Sequence, residues 1–109
     1  MPLVYEMRTY RCMPGRKADV LARFRDHTMA LFQKHGIDVV GFWQTAVGEV
    51  DDLIYIVRFP SWDEGAKRWR AFQSDPVWQK ARDESHARGV IVEHIRTSLL
   101  EATDFSPKV

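Results

Sequence analysis

Glu6, Arg8 and Tyr10 stand at alternate positions near the start of the chain. In an extended strand alternate side chains leave from one face. A carboxylate, a guanidinium and a phenol would then share that face. Arg58 and His94 fall in two later runs of strand character, and Trp43 in another. These six residues form the candidate pocket. On one reading, Arg8 or Arg58 binds an anionic or carbonyl oxygen while Tyr10 or His94 handles a proton. Trp43 would supply an aromatic wall. On the other, Glu6 and Arg8 form satisfied ion pairs that fix the register of two packed sheets. Buried charges must be paired in either case. We favour the ion-pair reading. Which of the six share a face depends on strand register, which the sequence does not disclose.

Other chemistry-bearing residues carry weaker signals. His94 is the only histidine placed on a strand, where it would serve as a haem ligand or proton carrier. No second ligand accompanies it, so no cofactor is expected. His27 and His35 lie about 80° apart round a helix, which suits a shared metal poorly. His86 is expected on the surface. Glu49, Asp51 and Asp52 form an acidic turn whose spacing differs from a calcium loop. No metal site is expected. The chain lacks glycine-rich nucleotide loops, His-Glu-x-x-His and Gly-x-Ser-x-Gly, so nucleotide, zinc-peptidase and serine-hydrolase chemistry lose their usual marks. Trp62 and Trp69 have the helical spacing of core residues. Trp43 is the better pocket candidate.

Positioning falls to a simple run of elements. Leu3 to Arg11 alternates as a strand, and Pro14-Gly15 ends it. Arg16 to His35 has a helical stripe of Leu21, Phe24, Thr28, Leu31 and His35, closed by Gly36. Ile37 to Val47 and Leu53 to Phe59 read as strands joined by a hairpin. Ser61 to Glu64 matches a capping box, and the next stripe is Trp62, Ala66, Trp69 and Phe72 or Gln73. Asp75-Pro76 restarts the helix, which Gly89 ends. Val90 to Leu100 is a fourth strand. The order βαββαβ predicts a ferredoxin-like α+β domain: a four-stranded antiparallel sheet with its helices on one face.

The 109 residues suffice for one domain spanning the whole chain. Net charge is +1, and basic and acidic residues interleave, as in Arg23, Arg25 and Asp26. Such runs read as solvated helix surface rather than a nucleic-acid face. A single cysteine, Cys12, forms no internal disulfide. No apolar run approaches the ~20 residues of a membrane span, and the N-terminus has no leader pattern. A cytoplasmic protein is expected, with neither membrane nor nucleic acid as partner. Three strands are apolar on both faces: Ile54 and Ile56, for example, oppose Tyr55 and Val57. Helices cover one face of a sheet, so the other needs a cover. The simplest is a second copy, giving a homodimer with a cavity between its sheets.

The segments Tyr5-Glu6-Met7-Arg8-Thr9-Tyr10, Pro14-Gly15, Lys34-His35-Gly36, Val40-Gly41-Phe42-Trp43 and Gly48-Glu49 resemble the NIPSNAP family. So do Asp75-Pro76-Val77-Trp78-Gln79 and Phe105-Ser106-Pro107. The resemblance implies a dimeric α+β barrel, two ferredoxin-like domains packed sheet to sheet. Barrels of that superfamily include cofactor-free monooxygenases, haem-degrading enzymes, haem peroxidases and stress-response proteins. The family offers no catalytic residues to carry over. Its longer eukaryotic members are mitochondrial, a property not expected of this bare domain. Two functions follow as expectations. One is a homodimer that binds a small apolar or aromatic molecule or serves as an interaction module. The alternative is a cofactor-free monooxygenase or isomerase, or a haem-binding or haem-degrading enzyme.

Overall fold

Alternation in the first strand and the turn at Pro14-Gly15 set the chain's path. In the computed structural model, which describes residues 3–108, β1 (Val4–Cys12) leads into a helical rod. The rod comprises α1 (Lys17–Arg23), a π-helical turn (Phe24–Thr28) and α2 (Met29–Lys34). Then follow β2 (Asp38–Gln44), β3 (Asp52–Phe59), α3 (Trp62–Gln73), α4 (Pro76–Ser85) and β4 (Val92–Glu101). The strands form one antiparallel sheet in the order β2-β3-β1-β4. This is the ferredoxin-like α+β arrangement that the element order predicts.

Local chemistry fixes the helix ends. Gly36 takes the left-handed conformation, φ +69°, that closes α2. The Glu64 backbone N–H donates to Ser61 Oγ at 3.1 Å, one half of the expected capping box. The Glu64 carboxylate itself accepts from Arg68 Nε at 3.1 Å. Asp75 caps α4 by accepting from the Val77 N–H at 2.9 Å, with Pro76 at the first helical position.

The sheet's two faces differ sharply. Leu53, Tyr55, Val57 and Phe59 are buried under the helices, while Ile54, Ile56 and Arg58 are half-buried on the opposite, open face. In the ladder, Tyr10, Arg8, Glu6 and Val4 stand beside Leu53, Tyr55, Val57 and Phe59 respectively. Glu6, Arg8 and Tyr10 therefore point to the helices. Aromatic rings fill the layer: Phe24 meets Tyr10, Phe32, Phe42 and Tyr55 with centroids 5.4–6.3 Å apart. Such pairs add about 0.5–1.5 kcal/mol each beyond burial.

Two helix phases differ from expectation. In α3 the buried positions are Gly65 and Phe72, while Ala66 and Trp62 are exposed. A Cβ on Gly65 would lie 2.8 Å from Phe59 Cδ2. Only glycine lets α3 come this close to β3; with Gly65 seated there, Trp69 and Phe72 of the expected stripe pack against the core while Trp62 and Ala66 stay outside. In the first rod, Arg23 is buried rather than solvated. Val20, Arg23 and Phe24 all face inward, and the π turn begins directly after Arg23. Thr28 Oγ1 donates to the Arg23 carbonyl at 3.4 Å within that turn.

The helices do not reach β4. Ile95 and Leu99, on the helix-facing side of the ladder, remain 44% and 60% exposed. The sheet thus projects beyond its helical cover along one edge.

Candidate functional site

That uncovered edge and α4 enclose a cleft of about 380 Å³. Its floor includes Arg8 and Tyr10 from β1. Arg23 enters from the end of α1, Trp78, Arg82 and His86 come from α4 and its C-cap, and Val92 to Ile95 form the β4 wall. Three guanidiniums and two imidazoles meet there with one carboxylate, Glu93. The volume lies within the ~300–1,000 Å³ range of small-molecule sites.

The cleft's floor is a satisfied network. Arg8 Nε donates to Glu6 Oε2 at 2.6 Å, and Trp69 Nε1 donates to Glu6 Oε1 at 3.1 Å. The Arg8 guanidinium lies 4.0 Å from the Trp69 ring centroid, a close cation–π contact. Tyr10 and Tyr55 share a hydrogen bond of 3.2 Å. Burial, with Tyr10 beside it, pushes the Tyr55 phenol well above its ordinary range, so it stays neutral. Burial also raises the Cys12 thiol, which is fully enclosed and unsuited to nucleophilic work.

The wall is less satisfied. Arg23 is 7% exposed and Trp78 8%. Arg23 Nη1 donates to Ser85 Oγ at 3.2 Å, and the guanidinium sits 5.2 Å from the Trp78 ring centroid. Arg23 Nε and Trp78 Nε1 are buried without a hydrogen-bond partner. Burial lowers the Arg23 pKa from its ordinary value.

The six residues singled out in the sequence divide between the faces. Glu6, Arg8 and Tyr10 lie under the helices. Arg58 and Trp43 lie on the open face, where Trp43 stands beside Ile54 and is 49% exposed. Arg58 Nε is bound there to Asp38 Oδ2 at 2.7 Å. His94 stands opposite Arg11 in the ladder. It nevertheless contributes to the cleft lining, at a β-bulge between Arg11 and Cys12 where Glu93 is the extra residue. The Glu6–Arg8 ion pair exists, but it ties the sheet to α3 through Trp69 and does not face a second sheet. His86, expected on the surface, is half-buried and lines the cleft. Arg23 and Arg82 were not among the pocket candidates; Trp78 had only the general mark of a tryptophan that could line an aromatic pocket. For Arg23 a signal was present: it lies three residues after Val20 and immediately before Phe24, inside the apolar stripe.

Other concavities are poorer in chemistry. A larger groove of about 630 Å³ runs beside α2 and β2, but its charged and amide side chains, Arg25, Gln33 and Asp38, are exposed. Among the described residues no cluster of histidine, cysteine and carboxylate side chains is suited to a metal. No described helix is long and apolar enough to cross a membrane.

The sequence profile of the NIPSNAP family matches residues 5–107. The chain belongs to the NIPSNAP family. A NIPSNAP family protein from Agrobacterium tumefaciens is 25% identical with a TM-score of 0.86, covering 96% of this chain and 97% of that one. A NIPSNAP-like domain protein from Burkholderia xenovorans has the same TM-score at 17% identity, covering 98% and 90%. More distantly, SnoaB, a cofactor-independent oxygenase from Streptomyces nogalater, has a TM-score of 0.67 at 14% identity, covering 99% and 100%. At these last two identities the likeness concerns the fold. No curated protein matches the chain.

Proposed function

We propose that this NIPSNAP protein is a homodimer that binds a small molecule, with the ligand held in the cleft between α4 and the β1–β4 edge. The cleft itself carries the proposal. It has a volume of about 380 Å³, polar groups on its floor and helix wall, and Val90, Val92 and Ile95 opposite. Val90 and Ile95 are exposed, so a bound molecule would remove apolar surface from water at about 25 cal/mol per Å². On this reading the ligand lies on the helix side of the sheet, beside α4, rather than between two sheets. The open face, with Ile54, Ile56, Met7, Tyr5 and Trp43, is left for the second copy. Its charges come in both signs, as in Arg58–Asp38 and Arg11–Asp52, so two copies need not repel.

Chemical-shift mapping of the full chain against a panel of small neutral and charged aromatic fragments tests the reading. Saturable shifts are expected at the Trp78 indole and the Ile95 methyls, with none at Trp62. If no fragment of any charge moves the cleft resonances, the binding reading fails.

A further inference from the structure

Four charged side chains are buried in the described residues: Glu6, Arg23, Asp52 and Asp75. Three are neutralised at close range. Glu6 meets Arg8, Asp52 meets Arg11, and Asp75 meets Lys34. Arg23 alone has no carboxylate within 4 Å among the described residues. An enclosed cation without a counter-ion is costly, and removing a partner from a buried pair is strongly destabilising for that reason. Here the missing partner is a feature of the native wall. Beside it, Trp78 presents a second buried donor, Nε1, which also lacks an acceptor. The two side chains are stacked on one another, and both line the cleft.

Arg8, Arg82, His86 and His94 also line the cleft, with one carboxylate, Glu93. Arg8 is held by Glu6 and Arg82 by Asp83, neither of which lines it. On its other side Arg23 borders a second cavity of about 260 Å³ with Asp19, Asp26 and Glu84. Charge there is mixed with Arg16 and Arg88, and Asp19 is already held by Arg16 at 2.6 Å. The donor-rich side is the cleft.

We infer that the cleft takes a small carboxylic acid with an apolar body, whose carboxylate supplies the acceptors that Arg23 Nε and Trp78 Nε1 lack. The inference rests on the binding reading above and names its ligand class. A carboxylate has two oxygens and so can accept from two neighbouring donors. Charge-assisted bonds of this kind are the strong ones. The body of the acid lies along Trp78, Val90 and Ile95. The anion comes from the ligand, so the free protein carries an unpaired charge that binding neutralises.

Calorimetric titration of the full chain with phenylacetate, phenylacetamide and inorganic phosphate separates the possibilities. Phenylacetate should bind, and the isosteric neutral amide about ten- to a hundredfold more weakly, the range for one charge-assisted bond. Phosphate, lacking the apolar body, should bind more weakly than phenylacetate. Arg23→Gln should remove most of the preference for acid over amide. Trp78→Phe keeps an aromatic ring and removes the donor, and should weaken the acid severalfold and the amide, whose carbonyl is a neutral acceptor, by less. Arg23→Met provides a second measurement. It should unfold at a temperature equal to or above that of the wild type without ligand, and lose the upward shift that phenylacetate gives the wild type. Equal affinity for acid and amide would overturn the inference while leaving small-molecule binding intact. So would unchanged phenylacetate binding by Arg23→Met. Silence from all three probes, with neutral fragments still shifting the cleft resonances, would overturn it too.

Discussion

Glu6 shows how a charged residue can belong to a core. Its two oxygens are divided between Arg8 and Trp69, and Arg8 stacks on the same indole. Removing the carboxylate strips Arg8 of its counter-ion and Trp69 of its acceptor together. Glu6→Ala is therefore expected to lower the unfolding free energy by about 3 kcal/mol, the low end for breaking a buried pair. Glu6→Gln still offers Trp69 an oxygen and should cost less. Urea denaturation of the three proteins checks this, and a loss well under 1 kcal/mol for Glu6→Ala would refute the account. Arg23 is the counterexample, equally enclosed but without a fixed anion. In the sequence the two look alike, because burial and partner identity are set by chain segments far away in number.

The junction of α3 and α4 illustrates what an element requires. Asp75 caps α4 and accepts from Lys34 at 2.8 Å and from His35 Nε2 at 2.7 Å. One carboxylate so joins the end of the first helical rod to the start of the last helix. The Lys34 and His35 hydrogen bonds, then the Val77 N–H, hold this carboxyl well below the usual carboxylate range. A native pKa below the unfolded one means stability that is fully present above about pH 4, the unfolded value. It is lost as the pH falls through the lowered native value. Asp75→Asn retains a capping side chain but not the charge. It should melt below the wild type at pH 7, and the gap should narrow as the pH falls below about 4. A gap that is constant from pH 7 to pH 2.5 would rule out the charge as its source. The Asp-Pro cap was legible in the sequence because it is local. Its bonds to Lys34 and His35 were not, since they join positions that only the packed helices bring together.

At the scale of the whole molecule, the decisive feature is a sheet with more surface than its helices cover. Half-buried Ile54 and Ile56 lie at the middle of the open face. We expect the proposed dimer to form there, so Ile56→Lys should place a charge at its centre and shift the protein toward monomer. Sedimentation velocity at micromolar concentration reads this directly. A wild-type chain that is monomeric under those conditions would remove the dimer from the proposal. The ligand cleft, by contrast, is bounded by residues of one chain. Binding of phenylacetate should accordingly survive in Ile56→Lys if that variant stays folded.

By itself, the sequence determined the order of elements, the cap at Asp75 and the apolar character of both sheet faces. These follow from side-chain period and local backbone preference, which act over a few residues. It also held the family signature and the alternation that puts Glu6, Arg8 and Tyr10 on one face. Tertiary structure decided which face that was, through the pairing of Arg8 with Tyr55 and Glu6 with Val57. It separated Arg58 and Trp43 from the other candidates, and it brought Arg23 and Trp78 together at a cleft. A period of two cannot say which side of a sheet the helices will cover. That depends on the handed crossover of the chain, and the candidate site lies where the resulting cover ends.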